Sequence, residues 1–64
     1  MNRFIVGPDG YGQWKSTRMS DSYIMFRGGR DSVLSSTEVY LKAIGGGMIS
    51  LQGEDGDIVD NFQV

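Results

Sequence analysis

Trp14, Arg18, Tyr23, Phe26, Arg27 and Arg30, with Tyr11 just ahead of them, interleave aromatic rings and guanidinium groups in the first half of this chain. On a sheet, that mixture is what single-stranded nucleic-acid binders use: rings stack on bases while arginines hold phosphates. Arg27-Gly28-Gly29-Arg30 reads as a mobile basic loop suited to the same task. The net charge of −2, however, removes the general attraction that dominates nucleic-acid affinity. A chain of 64 residues also needs most of its aromatics for a core. Trp, Tyr and Arg are equally favoured as anchors of protein interfaces. Trp14, Arg18, Tyr23, Arg27 and Arg30 are therefore the candidate binding residues, with a protein as the expected partner and nucleic acid disfavoured.

The remaining chemistries are narrower. The sequence holds no His and no Cys, so the usual general base near neutral pH and the usual strong nucleophile are both missing. Ser and Lys adjoin at Lys15-Ser16 and lie near each other around Lys42, but no motif there would strip a proton from the hydroxyl. No enzyme is expected, and no catalytic, cofactor-binding or metal-binding residue is assigned. Glu54, Asp55, Asp57 and Asp60 gather oxygen ligands, yet a calcium loop needs alternating carboxylates closed by a distal bidentate Glu, and none follows. A solvated hairpin turn accounts for them better. Gly45-Gly46-Gly47 resembles a phosphate loop in composition only. Phosphate loops precede a helix and offer its positive end, whereas these glycines follow one, where the dipole is negative.

The elements that must hold these residues are legible in outline. Arg3 to Val6 reads as a first strand, followed by a turn at Gly7-Pro8-Asp9-Gly10. Gly12 to Met19 is a weaker strand that sets Trp14, Ser16 and Arg18 on one face. Tyr23 to Phe26, four apolar residues in succession, reads as a central strand buried on both faces. Ser35-Ser36-Thr37-Glu38 fits a capping box, with Leu34 and Val39 placed as a hydrophobic staple. The helix is expected over Ser36 to Ile44, closed by Gly45. A longer form starting from Asp31 or Ser32 would align Val33, Thr37, Tyr40, Leu41 and Ile44 on one stripe, but leaves a Ser-Ser-Thr run inside. The shorter form is preferred. Met48 to Gln52 and Asp57 to Phe62 form a terminal hairpin about the Asp-Gly turn, with Ile49 and Leu51 on one side.

One domain, residues 1–64, is expected: an α+β fold with a small antiparallel sheet (three strands, a helix, a two-stranded hairpin) and the helix on one face. With no cysteine there is no disulfide or thiolate metal staple, and no stretch approaches the roughly 20 apolar residues that span a bilayer. The opening residues are too short for a signal-peptide core. A cytoplasmic protein that does not enter membranes is expected, and its small core favours self-association as a homo-oligomer, a dimer first. Charge divides along the chain: five basic and two acidic residues up to Arg30, one basic and six acidic from Asp31 onward. That division could orient head-to-tail contacts between copies or simply give two solvated faces.

Phe4-Ile5-Val6, Pro8-Asp9-Gly10, Trp14-Lys15, the helix near Glu38 to Ile44, and Gly53-Glu54-Asp55-Gly56-Asp57-Ile58 together resemble a small family of bacterial domains of unknown function. The family's pattern is an apolar opening strand, a Gly/Asp turn, a strand carrying Trp then Lys, a helix, and a terminal Gly-x-Asp-Gly-x-Ile stretch. The chain departs from it at Gln52, where the family often has His, and in its shorter helix. The resemblance spans nearly the whole chain, implies the fold, and implies no activity. Val39-x-Leu41-x-Ala43, the three glycines and Ile49-x-Leu51 resemble instead the repeats of trimeric β-helical spikes of phage tails and secretion needles. That reading makes 37–43 a strand and the protein a structural virion component. Three functions thus stand: a non-catalytic protein-binding or self-associating module, suited to a phage or mobile-element protein acting on a host protein; a spike component; and a single-stranded nucleic-acid binder.

Overall fold

The computed structural model describes residues 2–64. Its elements are β1 (Arg3–Pro8), β2 (Trp14–Arg18), β3 (Tyr23–Gly28), α1 (Arg30–Ala43), β4 (Met48–Gln52) and β5 (Ile58–Gln63). They build one five-stranded sheet in the order β3-β2-β1-β4-β5 with α1 on one face. This is the expected α+β arrangement, and the helix through 37–43 rules out the all-β spike.

The sheet is mixed rather than wholly antiparallel, because β1 and β4 pair in parallel, Phe4 beside Ile49 and Val6 beside Leu51. The reason is connectivity. Two tight turns leave β3 running parallel to β1, and the single helix that follows reverses the chain once, so β4 must re-enter in the direction of β1. β5 then folds back antiparallel to β4.

Helix α1 takes the longer form. Its N-cap is Gly29, with no side-chain cap bond, and Val33 N–H bonds the Gly29 carbonyl at 2.9 Å. Ser35 therefore lies inside the helix instead of capping it, and Val39 is exposed, so neither capping box nor staple forms. The magnitudes explain the outcome. A Ser-Ser-Thr run costs about 0.5 kcal/mol per residue in propensity, whereas burying Val33 is worth about 1.5–3 kcal/mol. Only a helix begun at Arg30 sets Val33, Thr37 and Leu41 on one buried stripe. The other end is as expected: Gly45 (φ 100°) follows the C-cap Ile44, and Gly46 N–H reaches back to the Leu41 carbonyl at 2.7 Å. This is the left-handed glycine closure of a Schellman motif.

Phe4, Val6, Val33, Leu41, Ile49 and Leu51 form the core, with Trp14, Met25, Phe26, Leu34, Tyr40 and Val64 packed around it. Ile49 and Leu51 share the core side, as their alternation requires. β3 is an edge strand, not a central one, and its apolar run is only half buried. Ile24 pairs with Thr17 and Phe26 with Ser16, which leaves Met25 as a bulge residue that breaks the alternation.

One polar pair sits in the core. Thr37 Oγ1 lies 2.7 Å from the Val33 carbonyl and 2.8 Å from Ser16 Oγ, and both side chains are fully buried. With one proton, Thr37 donates to the Val33 carbonyl, which can only accept, and accepts from the Ser16 hydroxyl. Thr37→Val should cost about 1–3 kcal/mol, the penalty for orphaning buried Ser16. Adding Ser16→Ala should recover much of that loss in a urea-denaturation cycle. A double variant as unstable as the sum of the singles would show that the pair is not coupled.

Candidate interaction surfaces

The five residues picked from sequence do not form one patch. Trp14 starts β2 on the helix-covered face, half buried, with the Arg30 guanidinium 5.7 Å from its ring centroid. Arg30 also pairs with Asp31 at 3.2 Å. Arg18, four residues along β2 and about 13 Å away, stacks on Tyr23 at 5.3 Å and donates to both Asp21 oxygens at 3.0 and 2.7 Å. Between the two sets, Ser16 is sealed beneath α1. Arg27 lies on the opposite face, 3.6 Å from Asp9 Oδ2. The helix thus occupies the face on which bases would have to stack.

The loop carboxylates are tied into this frame. Asp9 Oδ1 accepts from Tyr11 N–H at 2.8 Å and Gln13 N–H at 3.2 Å, so Asp9 organises the first turn. Those backbone bonds, the Tyr11 bond foremost, hold its carboxyl below the usual range, with Arg27 adding to the effect. The hydrogen bonds from Arg18 hold Asp21 down at about 2, and Asp21 in turn raises Arg18. On the open face, Arg3 donates to the fully buried Ser50 Oγ at 2.9 Å, and Ser50 donates to Asn61 Oδ1 at 2.7 Å, linking β1, β4 and β5. Among the described residues, no group of three His, Cys, Asp or Glu could hold a metal ion.

The surfaces that stand out are at the two ends of the sheet. α1 packs on β1, β2 and β3, and the β5 end of that face is left open. On β5, Ile58, Val59 and Phe62 are all exposed, Phe62 by 38%. At the β3 end, an open groove of about 530 Å³ runs between strand and helix, lined by Phe26, Ser35, Ser36, Val39, Tyr40 and Ala43. Phe26 meets Tyr40 edge-on at 6.4 Å, which fixes the groove floor. Sequence reasoning passed over Val39, Ala43 and Phe62. Residues 36, 39, 40 and 43 fall on a second small-and-apolar stripe of the helix, a signal present in the sequence beside the stripe that faces the core.

Strand order also preserves the division of charge. Arg3, Lys15, Arg18 and Arg27 all belong to β1–β3, while the β4–β5 hairpin carries Glu54, Asp55, Asp57 and Asp60 and no cation. Asp9 and Asp21 offset two of the cations in the β1–β3 half, so the sheet is weakly basic toward its β3 edge and strongly acidic toward its β5 edge. Compared with known protein families, with characterised proteins and with solved structures, the chain finds no match.

Proposed function

We propose that this protein is a non-catalytic module that binds other protein chains, copies of itself included, at the ends of its sheet. The observation that carries this reading is the pair of free edge strands, β3 and β5, each bordered by exposed apolar side chains. An unpaired edge offers a row of N–H and C=O groups to an incoming strand, and neighbouring apolar side chains supply specificity. Tyr23 and Arg27 of the original five stand on such an edge, whereas Trp14 and Arg18 serve the frame beside it. The lack of cysteine suits a reducing compartment. No helix among the described residues is long and apolar enough to cross a membrane. A cytoplasmic binding protein, of the kind a phage or mobile element directs at a host protein, fits these features.

The test is amide exchange on the ¹⁵N-labelled chain in extract of its source cell. Protection should appear at the edge amides of Arg27, Asn61 and Gln63, and it should vanish when the extract is first digested with protease. Protection that survives protease but not nuclease would replace this reading with nucleic-acid binding. Edge amides that exchange freely both in extract and in the concentrated pure chain would remove it altogether.

A further inference from the structure

We infer that copies of this chain join head to tail, β5 of one adding antiparallel to β3 of the next. The inference deepens the binding-module reading by naming the occupant of its edges as a second copy.

Backbone polarity permits the join. Gly47 and Val64 exchange both backbone bonds, at 3.0 and 2.8 Å, so Phe62 and Asp60 also turn their amides toward β4. Asn61 and Gln63 therefore point theirs at the open edge, and Asn61 N–H bonds Asp60 Oδ1 at 2.8 Å instead of a strand. At the other edge, Met19 N–H bonds the Arg3 carbonyl at 2.9 Å, which turns alternate β2 residues Ser16 and Trp14 toward β3. Their partners Phe26 and Gly28 face inward, and Arg27 faces out.

Direction and shape then select a register. β3 and β5 run oppositely, so two copies in the same orientation present them as an antiparallel pair with both helices on one side. Setting Asn61 against Arg27 of the next copy, through their outward amides and carbonyls, sets Phe62 across from Phe26. That is the non-hydrogen-bonded position, where side chains approach most closely. The groove of Phe26, Val39, Tyr40 and Ala43 opens at this point and receives the Phe62 ring.

Charge decides against the symmetric alternatives. Pairing β5 with β5 would bring together two hairpins of four carboxylates each, and pairing β3 with β3 would oppose two weakly basic edges and leave both acidic hairpins without a cationic neighbour. Head-to-tail pairing opposes the acidic edge to the basic one. Asp60 must release the Asn61 amide, and it then lies across from Gly28, between Arg27 and Arg30 in the chain. The bulge residues Met25 and Val59 keep the ladder short, so the join is reversible and depends on concentration. Because the two surfaces differ, association continues past two copies.

The experiment is light scattering and sedimentation velocity on the purified full chain, from about 10 µM to about 1 mM, the range of weak interfaces. Wild type should grow beyond a dimer and should retreat in high salt. Phe62→Glu blocks the β5 end and Val39→Glu the β3 end, each at a side chain already exposed. Each variant alone should assemble at least about tenfold more weakly, and their equal mixture should stop at a heterodimer, since each retains the end the other lost. Should either variant lose its fold by circular dichroism, Asn61→Pro or Arg27→Pro takes its place by deleting an outward amide. A wild type that stays monomeric throughout overturns self-pairing, while protease-sensitive edge protection in extract would leave the broader binding reading standing. A wild type that stops at dimer, with one single-end variant still dimerising, overturns it in favour of a symmetric edge.

Discussion

Phe4→Ala should leave the chain substantially unfolded at room temperature. Phe4 lies on β1, the middle strand, has no exposed surface, and meets Tyr40 edge-on at 5.8 Å and 75°. It joins the helix to both halves of the sheet, since β1 pairs with β2 on one side and β4 on the other. Truncating a buried Phe costs about 3–5 kcal/mol, from lost transfer and from the cavity left behind. A domain of this size has roughly 3–10 kcal/mol in total, at 0.05–0.15 kcal/mol per residue. The variant should therefore show a urea midpoint near zero, or a broad transition already under way in buffer. Val39→Ala, on the same helix but 67% exposed, should shift the midpoint little and serves as the control. A Phe4→Ala midpoint within experimental scatter of wild type would mean that the core is not centred on β1.

Gly47→Ala comes next in expected effect. A methyl group there would meet the Asn2 carbonyl oxygen and lie 2.9 Å from Leu41 Cδ2. Neither neighbour is free to move. The Asn2 carbonyl accepts from Met48 N–H at 2.8 Å, where the parallel β1–β4 ladder begins, and Leu41 is fully buried. Gly47 itself is held by its two bonds to Val64. Overpacking of this kind costs about 1–3 kcal/mol, and the involvement of backbone on both sides places the expected loss at about 3. Gly45→Ala is the informative comparison, because that position has open space and a φ of 100°. There the only cost is left-handed strain, about 1–2 kcal/mol. Equal urea midpoints for the two variants would show that the close approach at Gly47 carries no extra penalty.

These two sites also show why some of the fold could be read from the chain and some could not. The glycine closure after Ile44 was legible because it is a local event: a left-handed residue and two amide bonds within one turn of helix. The start of the helix was equally local in appearance, yet the apparent capping box at Ser35 lost to the burial of Val33 against the sheet. Burial depends on what lies underneath, which no short window contains. The apolar run Tyr23 to Phe26 suggested a central strand, but its place at the edge follows from β4 taking the other side of β1. The candidate binding residues do not come together as one group. Alternation and a bulge set Trp14 and Arg18 under the helix side and Arg27 on the other.

By itself the sequence determined the composition of this protein's chemistry: no imidazole, no thiol, a basic first half and an acidic second half. It also determined the events that need only neighbours in the chain, the Asp-Gly hairpin and the glycine stop. Tertiary structure alone decided that β1 and β4 run in parallel, that α1 begins at Arg30, and that the two charged halves end at opposite edges of one sheet. The physical reason is range. Turn and cap energies depend on a few adjacent dihedrals, whereas strand order and burial depend on contacts between residues some 45 positions apart, such as Phe4 and Ile49.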